Sequence, residues 1–110
     1  MSLYYKSPLG VAGGGGGATH WDDPVIDQLD FTSAEPAAPG VGDRYINTAT
    51  GASSVTAQSV TANYIYEWNG TSWTETVVTE GWTVWETSTN QTLIFNGTNW
   101  VIGAGSYRST

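Results

Sequence analysis

Trp68-Asn69-Gly70-Thr71-Ser72-Trp73 returns twenty-seven positions later as Phe95-Asn96-Gly97-Thr98-Asn99-Trp100. Asn-Gly is the dipeptide that best accepts positive φ at both central positions of a type I′ turn, so each copy predicts a hairpin between two short strands. Asn63-Tyr64-Ile65-Tyr66-Glu67-Trp68 leads into the first turn and Ser72-Trp73-Thr74-Glu75-Thr76-Val77-Val78 leads out. A two-residue loop sets Trp68 opposite Thr71, Glu67 opposite Ser72 and Tyr66 opposite Trp73, which gathers Tyr64, Tyr66, Trp68 and Trp73 on one face. The same register in the second copy sets Leu93 opposite Trp100, with Phe95 on their side.

Outward from these hairpins the pattern stays short and alternating. Gly81-Trp82-Thr83-Val84-Trp85-Glu86 reads as a strand turned by Ser88-Thr89-Asn90, and Val41-Gly42-Asp43-Arg44-Tyr45-Ile46 as another, closed by a turn over 47–51. Residues 52–62 are small and β-branched without strong alternation, which fits an edge strand or a surface loop equally. No helical period interrupts, so the expected fold class is all-β: a small antiparallel meander of about five or six short strands.

The first third differs in character. Five consecutive glycines at 13–17 are followed by Asp22-Asp23-Pro24, Asp27 and Asp30, and glycine loses more backbone freedom on ordering than any other residue. Residues 1–35 therefore read as an extended arm and linker, residues 36–104 as the β-domain, and residues 105–110 as a tail, with the Pro-rich stretch Ser33 to Gly40 marking the first boundary. Fully extended, thirty residues reach on the order of 100 Å, enough to lie across a neighbouring subunit.

Composition narrows the partners. Ten acidic residues face only Lys6, Arg44 and Arg108 among Lys and Arg, a formal net charge of −7, and a phosphate-binding surface needs clustered Lys and Arg. The expectation is no nucleic acid and no membrane insertion, since no apolar run approaches the roughly twenty residues that span a bilayer. Met1 to Val11 lacks the basic-then-apolar pattern of a signal peptide, so a soluble, unprocessed chain is expected. Without cysteine, disulfides and thiolate metal sites are excluded, and a domain of about seventy residues that buries roughly 60–65% of its unfolded surface leans on partner chains instead.

Catalytic chemistry finds little support. The one histidine, His20, sits in the glycine-rich arm, no serine occupies a Gly-x-Ser-x-Gly context, and the glycine run lacks the lysine of a P-loop. His20, Asp22 and Asp23 read as exposed polar residues rather than metal ligands, and Glu67, Glu75, Glu80 and Glu86 as solvated strand-face acids rather than a glycosidase pair. The expectation is a protein that is not an enzyme, with no metal or cofactor. Six tryptophans and six tyrosines point instead to stacking or to an apolar interface. Trp73, Trp82, Trp85 and Trp100 are expected in the core, with Trp68 and Trp21 exposed.

The order Pro39-Gly40-Val41-Gly42-Asp43-Arg44-Tyr45-Ile46, Tyr66 to Trp73, Glu80-Gly81-Trp82-Thr83-Val84-Trp85 and Leu93 to Trp100 resembles a small uncharacterised β-domain family of bacteriophage tail-fibre proteins and gene-transfer-agent head spikes. The resemblance covers roughly residues 36–101. It departs in the middle, where that family commonly carries Gly-Ala-Trp-x-Gly and this chain has no tryptophan between 52 and 62. The resemblance implies a virion protein at the particle surface and no catalytic residues. The expected function is a short tail fibre or spike adhesin that contacts host-surface glycan; the competing expectation is a head decoration protein clamping capsid subunits. Candidate glycan-binding residues are Tyr64, Tyr66, Trp68, Asn69 and Asn96. Tyr4, Tyr5 and Trp21 are the candidate anchors to other virion proteins, tail baseplate or capsid, and a homotrimer is the expected assembly.

Overall fold

The computed structural model describes residues 20–103. In chain order its elements are β1 (His20–Trp21), β2 (Asp27–Leu29), α1 (Phe31–Ala34), β3 (Arg44–Asn47), β4 (Gly51–Ala52), β5 (Ser59–Val60), β6 (Ile65–Trp68), β7 (Trp73–Thr76), β8 (Trp82–Glu86), β9 (Gln91–Phe95) and β10 (Trp100–Ile102). The fold is all-β, with one helical turn. The strands form a four-stranded sheet β1-β8-β9-β10, a second four-stranded sheet β2-β3-β6-β7, and the small pair β4-β5. They are called the front sheet, the back sheet and the cap hairpin.

Both hairpins predicted from Asn-Gly form, with a different turn. Trp68 pairs with Trp73 and Tyr66 with Glu75, and Phe95 pairs with Trp100, a register two residues away from the type I′ expectation. The asparagines precede the turn rather than occupy it. Asn69 Oδ1 accepts from the amides of Thr71 (2.8 Å) and Ser72 (2.9 Å), and Asn96 Oδ1 accepts from those of Thr98 (2.9 Å) and Asn99 (2.8 Å). The side chain replaces the backbone carbonyl as acceptor, and positive φ falls on Gly70 (102°) and Gly97 (98°) alone in each turn. Because the slip is two residues and strand side chains alternate, the faces survive it.

Residues 20–35 belong to the folded body, which corrects the arm and linker boundary. β1 runs parallel to β8 and β2 parallel to β3, each as an edge strand, and Val25 and Phe31 are fully buried. Asp30 caps α1 by accepting from the Thr32 amide. Residues 52–62 form the arms and loop of the cap hairpin rather than a single strand, with Ser53 and Val60 buried.

The layers follow from the alternation. Ile46 and Ile65, paired on one face of the back sheet, pack with Val25, Val84, Leu93, Phe95 and Trp100 into a shared core between the two sheets. On the other face of the back sheet, Tyr66 and Trp73 pack with Phe31 of α1 and Val60 of the cap hairpin in a second cluster. The order is therefore front sheet, first core, back sheet, second core, cap.

The two sheets repeat one unit. In each, an edge strand from the N-terminal segment runs parallel to the first strand of an antiparallel three-stranded meander. Gly42 and Gly81, thirty-nine positions apart, share φ values of 94° and 99° and donate to the equivalent carbonyls of Trp68 and Phe95, both at 2.8 Å. The turn ahead of each first strand repeats as well, Asp43 N–H to Gly40 O at 3.0 Å and Trp82 N–H to Thr79 O at 3.2 Å. The hairpins recur at a spacing of twenty-seven, and the cap hairpin accounts for the difference.

Candidate functional site

Of the residues expected to meet glycan, the structure keeps two accessible as aromatic surface. Tyr66 is fully buried. Its hydroxyl donates to Glu75 Oε1 (2.9 Å) and accepts from the Thr61 amide (2.7 Å). Burial, reinforced by the Glu75 carboxylate against the Thr61 amide, pushes its pKa up to about 12. Tyr66 is thus a structural member of the second core and not a contact residue. Asn69 and Asn96 are exposed, but their side-chain oxygens are committed to the turns.

Tyr64 and Trp68 remain half-buried. Tyr64 packs at the junction of both clusters, next to Asn63, whose Nδ2 donates to Thr98 O (3.0 Å) and whose carbonyl accepts from Trp100 Nε1 (2.8 Å). Those bonds tie Tyr64 to the turn that holds Asn96. Trp68 is set edge-to-face on buried Trp73, centroids 5.1 Å apart at 61°. That contact fixes one side of the indole and leaves part of it in solvent, in the strand that leads into the turn carrying exposed Thr71 and Ser72. Tyr45, in contact with the same Trp73 at 5.9 Å, is half-buried, and burial with the carboxylates of Asp43 and Asp27 raises its pKa. Sequence reading missed Tyr45; its place in the Gly-Asp-Arg-Tyr strand opposite Tyr66 was the available signal.

Trp21 is 63% exposed, as expected, but it lies in β1 against the front sheet rather than in a free arm. Tyr4 and Tyr5 lie outside the described residues. Trp85 departs from expectation: it is 40% exposed, while Trp73 and Trp100 are buried and Trp82 is half-buried. In Trp82–Glu86 it falls out of phase with Val84 and Glu86, both buried on the core face. Tryptophan stands in both phases of this strand, and Glu86 misled because a buried carboxylate is unusual. Glu86 is held by Thr89 Oγ1, Gln91 Nε2 (3.2 Å) and Gln28 Nε2 (3.4 Å).

His20 and Asp22 are engaged elsewhere. The His20 ring lies 4.1 Å from Trp82, and Asp22 pairs at 2.7 Å with Arg44, which also binds Glu67 at 2.9 Å. Arg44 is buried to 9% exposure with its Nε unpartnered, a clamp between the N-terminal segment and β3. Among the described residues no three His, Cys, Asp or Glu side chains gather as a metal site. No curated protein and no solved structure matches the chain. A family model matches residues 23–101, a span that begins after β1 and runs from the edge strand β2 into β10, and the chain belongs to that family of proteins of unknown function, DUF2793.

Proposed function

We propose that the chain is a non-catalytic structural protein of a bacteriophage or phage-like particle, a short fibre or spike adhesin on the virion surface that contacts host-surface glycan through Trp68. The observation that carries this reading is the half-exposed Trp68 indole braced on buried Trp73. A ring immobilised before binding loses little entropy on stacking against a sugar face, and exposed Thr71 and Ser72 in the same hairpin turn add hydroxyls that can hydrogen-bond a sugar. The motif order shared with tail-fibre and head-spike domains supports placement on a particle, with residues ahead of β1 as the attachment to baseplate or capsid proteins. Net charge of −7 favours a neutral polysaccharide over an anionic one.

The test is binding of the full chain to polysaccharide from the host surface, read by glycan array and calorimetry. Wild type binds, and Trp68→Ala weakens each single site by roughly ten- to hundredfold, the loss typical of a central aromatic contact. Equal binding by Trp68→Ala, or none by wild type, rejects the adhesin. An antibody against residues 40–110 that decorates heads and not tails in electron micrographs selects the second reading, a decoration protein clamping capsid subunits.

A further inference from the structure

We infer that the outer face of the front sheet is the docking surface for a second copy of this chain, meeting the same face of its partner across a two-fold axis. Strand register places Trp21, Thr83, Trp85, Thr92, Ile94 and Val101 on that face. Trp21 is 63%, Val101 42% and Trp85 40% exposed. Thr92 and Ile94 are half-buried, Thr83 is buried at the centre of the face, and none of the six carries a charge. A sheet face built of tryptophan, isoleucine, valine and threonine is an interface in composition.

The internal repeat says what kind of object covers it. Trp85 and Thr92 of the front sheet occupy the positions of Ile46 and Ile65 in the back sheet, by the same thirty-nine and twenty-seven residue spacings that relate the glycines of the two units. Ile46 and Ile65 are fully buried, because the front sheet lies on them. The front sheet thus carries the face that its sister unit uses to pack against a sheet, and among the described residues no further strand lies on it. A head-to-tail chain of units would require the matching surface, the Tyr66 and Trp73 face of the back sheet. Phe31 and Val60 already cover that one. What remains is like against like, a closed isologous pair. Charge agrees: in a chain of net charge −7, two copies repel each other except where a surface has no charge, and this face has none.

The inference is independent of the glycan reading, since Trp68 belongs to the back sheet. Sedimentation equilibrium of the full chain tests it. Wild type is expected at twice the single-chain mass at micromolar concentration. Trp85→Glu and Ile94→Glu each bring like charges together across the axis and are expected to raise the dimer dissociation constant by roughly a hundredfold or more, with the far-UV spectrum and melting transition of a folded protein. Trp85→Glu also keeps single-site glycan affinity while losing the gain from bivalency. A monomeric wild type, a trimer, or a dimer that both glutamate variants leave intact overturns the proposal. If one variant fails to fold, the other reads the result.

Discussion

The Glu35 carboxylate, 6% exposed, holds the cap hairpin to the back sheet. Oε1 accepts from the amides of Val55 (2.8 Å) and Thr56 (3.0 Å), and Oε2 from Thr56 Oγ1 (3.0 Å) and Trp73 Nε1 (2.8 Å). Burial raises its pKa, but the donors led by the Thr56 amide and the Trp73 indole prevail and bring it to about 2, against an ordinary 4.5. A carboxyl depressed in the folded state contributes stability that is complete above its unfolded pKa and vanishes as pH falls through the folded one. This one therefore supplies on the order of 3 kcal/mol at neutral pH, lost across the interval from about pH 4.5 to about pH 2. Glu35→Gln keeps the shape but turns an amide nitrogen toward two of the four donors, whichever way the amide is set. Its unfolding free energy at neutral pH is expected to drop by roughly 2–3 kcal/mol. Urea titrations over the acid range should show a flatter limb than wild type, and parallel limbs would place the acid sensitivity in another carboxyl.

At the scale of the element, the two Asn-Gly turns are one device used twice. Each asparagine, the first residue of its loop, satisfies two turn amides with its side chain, and each glycine takes the positive φ. Asn69→Ala and Asn96→Ala remove an exposed acceptor of the same kind, so each is expected to cost about 1 kcal/mol and lower the melting temperature by roughly 4–8 °C. A calorimetric scan in which one substitution is silent would show that the two turns differ in function despite their shared geometry. The sequence announced these hairpins and their faces because aromatic alternation around Asn-Gly is a local signal. It hid the register, since whether an asparagine accepts with its side chain or its carbonyl is decided by the turn it enters. Trp85 was misplaced for a related reason. Its strand is tryptophan at 82 and 85, both phases of a two-residue period, and only the pairing of Val84 with Leu93 settles which phase is inside.

For the whole molecule the decisive fact is that the N-terminal segment closes both sheets. Parallel edge strands leave no hairpin signature in sequence, and β1 and β2 are so short that the acids and glycines around them dominate the composition of residues 1–35. Val25, Leu29 and Phe31 were nevertheless the apolar residues available. Val25 is fully buried between the sheets and bridges to Glu86, and Phe31 is fully buried under the cap with rings of Trp73 at 4.9 Å and Tyr66 at 5.8 Å. Removing residues 1–33 deletes both side chains, two edge strands and the Asp22 partner of Arg44. Emptying the Phe31 and Val25 sites alone costs roughly 5 kcal/mol or more by the usual price of large-to-small core substitutions, comparable with the whole stability of a domain this size. A chain beginning at residue 34 is therefore expected to be unfolded, with exchange-labile amides throughout and no cooperative melt. One beginning at residue 19 is expected to melt cooperatively within a few degrees of the full chain, since every described element is intact. A folded 34–110 fragment would mean that the meanders form a body without their parallel edges, and the N-terminal strands would then be an addition to the fold rather than half of its closure.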